Sequence, residues 1–182
     1  WKKYLDVKII SLSKFLTKPD INESLKYYKN LKSFKDLLLL NKNEIPFGKY
    51  VYSTSLRGQF TNDIQIDRLS DKLLISWNII KSLMYLNTFN RALEILDPQK
   101  VYMIDNNYTP NGEIFEISIK NKLDVITVNA SHKNNAVIFK KYNSQNKYEH
   151  PYGIEEKNWK KIKEMTFTDK HWFKLKEEYE KC

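Results

Sequence analysis

Cysteine is almost missing: Cys182, the last residue, is the only one in 182. That excludes a disulfide framework and any cysteine-based metal site, and it points to a reducing compartment. Glycine is scarce as well, with four in the chain, and no G-x-G-x-x-G, G-x-x-x-x-G-K-[ST] or G-x-S-x-G motif occurs. A nucleotide cradled by a standard glycine-rich loop and a serine nucleophile on an elbow are therefore excluded. Long apolar runs are absent too. The longest, such as Leu37 to Leu40, have four residues, far short of the roughly 20 that span a bilayer, and no cleavable leader is visible. The expectation is a soluble, cytoplasmic protein. The three histidines, His132, His150 and His171, are too dispersed for a zinc site. No metal and no cofactor are expected.

What is present argues for a folded domain. Apolar residues make up 41% and aromatics 14%, too much buriable surface for a disordered chain. The length fits a single domain, residues 1 to 182, with one core and some appended helix. A formal charge of +9 would attract nucleic acid or an anionic membrane surface. However, only Arg57, Arg68 and Arg91 among the 31 basic residues are arginine, and no basic block is interleaved with aromatics. Nucleic acid is not the expected partner, while a peripheral contact at the inner membrane remains open. The chain begins at Trp1 and stops inside a charged helical pattern, Lys174 to Lys181, which reads as a piece of a longer protein.

Periodicity supplies the elements. Leu5, Val7 and Ile9 alternate with polar residues and predict a strand over about 4 to 12. Asp20 to Glu23 offers a helix start, and Ile21, Leu25, Tyr28, Leu31, Phe34 and Leu38 follow at helical spacing. After Ile45-Pro46-Phe47-Gly48, the segment Lys49 to Thr54 has strand composition. A long helix is expected from about Asn62 to Leu96, with Leu69, Leu73, Trp77, Ile80 and Met84 as its apolar stripe and a kink near Asn87; Asp97-Pro98 ends it. Val101 to Asp105, Pro110 to Asn121 and Asp124 to Val128 then read as strand, helix, strand, a right-handed βαβ unit. Ala136 to Lys141 is a further candidate strand, and two amphipathic helices carry Trp159 and Ile162, then Trp172, Phe173 and Leu175. The expected fold is α/β, a Rossmann-like parallel sheet built from the strands near 49, 101 and 124 and flanked by helices on both faces.

In open α/β sheets a ligand sits beyond the carboxyl ends of the strands. The loops there would present Ser53, Ser55 and Arg57, then Asn106, Asn107, Asn111 and Gly112, and finally Asn129 and His132. Asn and Ser offer donors and acceptors to hydroxyls. Arg57 either holds an anionic group or is an ordinary exposed arginine. Gly112 either admits a ligand to the helix start, where free N–H groups point outward, or lets the helix pack closely. His132 is the weak acid/base candidate, its alternative being an exposed loop residue.

Ile45 to Gly48 through Ser53 to Arg57, and Ile104-Asp105 through Asn111-Gly112 to Val125–Val128, together resemble segments of the surface-polysaccharide (capsule and lipopolysaccharide) glycosyltransferases that have two facing Rossmann-like domains. Roughly Ile45 to Trp159 follows their N-terminal half. Asn111-Gly112 matches the family's Asn-Gly and Arg57 its post-strand arginine, whereas Asn129 stands where the family has an acidic residue. The resemblance implies that the chain contributes the acceptor side of a cleft, binding a sugar acceptor, while the nucleotide sugar is held by a second, C-terminal domain. The competing reading is a non-enzymatic basic module for nucleic acid or an anionic membrane surface.

Overall fold

The computed structural model describes residues 7–28, 33–59, 64, 65, 67–131, 135–154 and 156–180. Among them are seven α-helices and one three-stranded sheet, a mixed α/β architecture. The chain divides into two compact units, Trp1–Tyr148 and Glu149–Cys182. None of the described helices is long and apolar enough to cross a membrane.

The first unit opens with residues 7–11 outside any strand and a short 3-10 turn, Leu12–Phe15. The strand expected over 4 to 12 therefore does not form in its described part. Helix α1, Lys18–Tyr28, is started by Thr17, whose backbone N–H and hydroxyl both donate to the Asp20 carboxylate at 2.7 Å, so that an acid in the first turn reaches back to the capping residue. Helix α2 is Phe34–Leu38 and α3 is Phe47–Gln59.

Helix α3 corrects the expected strand at 49 to 54. Its β-branched and aromatic residues favour a strand by composition, but Phe47, Tyr50, Val51 and Ser55 recur at three and four residues and are all buried. Burial of that stripe overrides the propensity. Gly48 makes the position possible: a Cβ there would lie 1.9 Å from the Leu37 carbonyl oxygen.

Helix α4, Leu69–Leu96, is one uninterrupted element of 28 residues, with no break at Asn87. It ends at Asp97, in the left-handed region, just before Pro98. Its inward stripe is Ile75, Ile79, Leu83 and Leu86, while Leu69, Leu73 and Trp77 are exposed. The helix is apolar on more than one side, and tertiary packing chose the other side from the one the spacing first suggests. Trp77, Ile80 and Met84 instead line an apolar groove of about 260 Å³ with Leu12 and Leu16.

The βαβ unit forms as its pattern indicates. Strand β1, Lys100–Met103, leads through helix α5, Asn111–Lys120, to strand β2, Asp124–Ala130, and β1 pairs with β2 in parallel, Val101 opposite Val125 and Met103 opposite Thr127. Strand β3, Val137–Tyr142, is antiparallel to β2. The sheet order is β1-β2-β3, so the parallel part is a single pair, and the strand expected near 49 contributes nothing to it. The inner face of the sheet packs Met103, Val125 and Tyr142 against Phe115 and Ile119 of α5. The opposite face leaves Tyr102, Val137 and Phe139 exposed, so within this unit the sheet is covered on one side only.

Helix α5 lies between two cores. Phe115 and Ile119 face the sheet, whereas Ile117 joins the helical core of Leu37, Phe47, Val51, Ile75, Ile79 and Leu83. The second unit holds helices α6, Glu156–Glu164, and α7, Asp169–Glu180, neither of which has a buried residue.

Gly112 sits where α5 crosses α3. A Cβ at this position would lie 2.1 Å from Cδ1 of Tyr50, so the packing reason for a glycine is explicit. Gly112→Ala is expected to cost about 1–3 kcal/mol by overpacking. In denaturant unfolding, the double variant Gly112→Ala/Tyr50→Leu should cost less than the sum of the single changes. Strict additivity would refute the contact as the reason.

Candidate functional site

Two carboxylates lie on α5 outside the stripe of Phe115 and Ile119 that packs on the sheet. Glu113 is fully buried; its Oε1 accepts from the Ser82 hydroxyl of α4 and from the Thr109 hydroxyl at 2.7 Å, while its Oε2 has no partner. Burial pushes this carboxyl above its ordinary value, against the hydrogen bonds from Ser82 and Thr109 that favour the charged form. Three residues on, Glu116 accepts from Lys49 Nζ at 3.0 Å, the Tyr50 hydroxyl at 2.9 Å and Lys147 Nζ at 3.0 Å. Burial opposes its charge, but these donors prevail and hold it below the usual carboxylate range. Burial and the neighbouring carboxylate together keep the Tyr50 phenol protonated, as a donor. The ammonium groups of Lys49 and Lys147 also lie over the Tyr148 ring, at 5.5 Å and 4.8 Å, adding a cation–π contact.

Glu113 anchors the loop that leaves β1. Through Thr109 it holds the segment from Asp105 to Pro110 against α3, where the Thr109 N–H donates to Thr54 Oγ1 at 2.8 Å. The Arg57 guanidinium lies 4.6 Å over the ring of Tyr108. Asn106 is buried, and its Oδ1 has no partner; Asn107 is exposed, its N–H donating to Asp105 Oδ1 at 3.3 Å. A buried amide oxygen without a donor carries a desolvation cost, which a hydroxyl or a water supplied from solution would remove.

The residues singled out in the sequence are thus partly assembled. Arg57 and Asn106 to Thr109 meet at the carboxyl end of β1. Because β1 and β2 are parallel and Met103 is level with Thr127, Asn129 emerges from β2 on the same edge, its Nδ2 donating to Thr127 Oγ1 at 3.2 Å. Asn111 is half-buried as the first residue of α5. Ser53 and Ser55 lie within helix α3 rather than on a loop. Ser55 is buried, donating to the Val51 carbonyl and accepting from Asn78 of α4, both at 2.8 Å, so it joins two helices. His132 lies outside the described residues. Glu113, Glu116 and Tyr108 were not singled out; the available signal was two acids three residues apart in the largely apolar stretch Glu113 to Ile119. Among the described residues no group of three His, Cys, Asp or Glu side chains is arranged to hold a metal ion.

A polar concavity of about 780 Å³ lies at the other end of α5. There Lys42 Nζ donates to Glu23 at 2.6 Å and to Asn87 at 2.8 Å, Arg91 pairs with Asp20, and Lys120 reaches Glu44 at 2.8 Å. All three cations pair with acids of the lining, which also holds Glu94, so an anionic ligand would have to displace existing ion pairs. This groove reads as the ionic seam that ties α1 and the segment before α3 to α4 and α5.

The chain matches no family model, no curated protein and no solved structure at a meaningful level.

The shifted carboxylates give a pH signature. Glu113 is raised in the folded state, so its contribution to stability is fully present below the ordinary carboxyl value near 4.5 and is lost as pH rises through the folded value. Glu113→Gln is therefore expected to gain thermal stability relative to the wild type as pH rises from about 4 to 8. Asp71 has the opposite sign. The Arg68 guanidinium foremost, with Gln59 and the Gln65 N–H, holds it well below the usual range, so the advantage of the wild type over Asp71→Asn is present at neutral pH and disappears in acid. Melting profiles of both variants across pH check this, and parallel curves for wild type and Glu113→Gln would refute the assignment.

Proposed function

We propose that the first unit binds a sugar acceptor at the carboxyl edge of its parallel strand pair, as the acceptor-side half of a glycosyltransferase in capsule or lipopolysaccharide biosynthesis. On this reading β1, α5 and β2 are part of a Rossmann-like arrangement, and the nucleotide sugar is held by a second domain, since the chain contains no phosphate-cradling glycine loop. The carrying observation is Asn106. Its buried Oδ1 lacks a donor at the edge where α/β folds take ligands, and a sugar hydroxyl is a donor of suitable size. Arg57, exposed and stacked on Tyr108, is a natural partner for the carboxylate of an acidic sugar. Support comes from the βαβ segment alone, because Phe47 to Arg57, most of the segment that carries the other half of the resemblance, is helical. His132, two residues beyond β2 in sequence, stays the acid/base candidate.

The test is titration of the whole chain with the methyl glycosides of glucuronic acid and glucose, followed by NMR. The uronate is expected to bind more tightly. Arg57→Ala should weaken it by about 1.5–3 kcal/mol, the typical worth of a hydrogen bond to a charged group, and leave the neutral glycoside little changed. Asn106→Ala should weaken both. Absence of binding by either glycoside, or binding indifferent to both substitutions, would overturn the reading.

A further inference from the structure

The second unit poses a separate problem, because its large apolar residues have found no core. None of the residues in α6 and α7 is buried, yet Trp159, Phe167, Trp172 and Phe173 stand 45%, 50%, 58% and 64% exposed. They are not scattered. The Phe167 ring, on the connection between the helices, meets Trp172 at 5.2 Å, and Trp159 and Ile162 share one side of α6 at a spacing of three. An apolar group of this size left in water marks an interaction surface.

We propose that this helical unit docks on an anionic lipid surface, with its aromatic side chains seated at the headgroup level and its lysines against the lipid phosphates and carboxylates. Three observations select this occupant. The residues are Trp and Phe more than Leu, and such rings favour the membrane interface. Between Lys157 and Lys176 there are seven lysines against Glu164 and Asp169, of which Lys160 pairs with Glu156 and Lys176 with Glu180, so positive charge is in excess along the stretch that carries the aromatic residues, while acids towards the two ends of the unit balance it. Lys163 Nζ lies 5.8 Å over the Trp159 ring, placing a cation directly beside an anchor. The helices, nine and 12 residues long, would each reach under 20 Å at about 1.5 Å per residue, against a hydrocarbon core of roughly 30 Å. They lie on a bilayer rather than cross it. A nucleic acid would engage the lysines but leave the apolar group in water. A second copy would bring two lysine-rich stretches into opposition. The inference stands independently of the sugar reading.

The experiment uses the whole chain and sucrose-loaded vesicles of phosphatidylcholine, with and without phosphatidylserine. The chain is expected to sediment with the phosphatidylserine vesicles, to shift its tryptophan emission to shorter wavelength, and to be released by salt. Trp172→Ala/Phe173→Ala should diminish the emission shift and reduce binding at least tenfold. Lys160→Glu/Lys163→Glu should reduce it by a similar factor, since one lysine near such a surface accounts for about fivefold. Circular dichroism checks that the helices persist in both variants. Equal sedimentation with phosphatidylcholine alone, no sedimentation at all, or vesicle binding that survives the aromatic substitutions would each overturn the proposal. So would a lipid-free dimer that the aromatic substitutions dissociate, or binding of duplex DNA with the same affinity in wild type and Trp172→Ala/Phe173→Ala.

Discussion

Helix α5 has water on almost none of its sides, and the burial of its two carboxylates is the constraint to which the first unit answers. One side of the helix supplies Phe115 and Ile119 to the sheet and another supplies Ile117 to the helical core, so Glu113 and Glu116 have nowhere to go but inward. Each therefore needs donors from neighbouring elements, because an ionised carboxylate in such a place is strongly unfavourable alone. Glu116 draws them from α3 and from Lys147 beyond β3, and Glu113 from α4 and the β1 exit loop. Two side chains thereby fix four segments relative to one helix. The net energy of such buried pairs is small or even unfavourable compared with an apolar substitute. Their value lies in specifying one arrangement, since sliding α3 or α4 along α5 would leave a buried carboxyl group without its partners.

The same constraint distributes polarity between the two ends of the helix. At its start Glu113 already occupies the first turn, so the outward N–H groups and partial positive charge there are met from within. A phosphate at that place would face a carboxyl group, and an anionic ligand is better received by Arg57, displaced towards the end of α3. At its finish Lys120 joins the ionic seam around Lys42 and Arg91, where each of the three cations has an acidic partner. The end that retains an unmet need is the first, where Asn106 holds a buried oxygen without a donor.

How much of this was legible varies element by element. The β1-α5-β2 unit was, because Val101 to Ile104 and Val125 to Val128 are short apolar runs flanking a helix of the right length, and local pattern decides such a unit. Helix α3 was legible only in retrospect: Tyr50, Val51, Tyr52 and Thr54 favour a strand, and the helical spacing of Phe47, Tyr50, Val51 and Ser55 shows its worth once the α4 surface that buries it is known. For α4 the period was right and the side was wrong, since Leu69, Leu73 and Trp77 recur as regularly as Ile75, Ile79 and Leu83. Periodicity reports that a face exists and not which face meets a neighbour. Ser55 shows the same limit at a candidate site, its role being set by Asn78, a residue 23 positions away. The orientation of β3 lay in pairing register, which Ala136 to Lys141 do not encode on their own.

The mixed sheet restricts how a larger Rossmann-like arrangement could be built on this unit. Strand β3 runs antiparallel along one side of β2, so a further parallel strand has no place beside β2, and of the two edges left by the order β1-β2-β3 only that of β1 would continue the parallel pair. That strand is four residues long and begins with the exposed Lys100, and shortness and lysine are both devices that discourage strand addition at an edge. Its outward residues, Tyr102 and then Ile104 at its end, are nevertheless large, apolar and exposed. The edge is thus guarded against backbone pairing while its outer face is left uncovered. An element packed flat against that face, joined to Phe139 and Val137 of β3, would bury the apolar surface without competing for the strand's hydrogen bonds, which makes face packing the more economical way for the fold to extend.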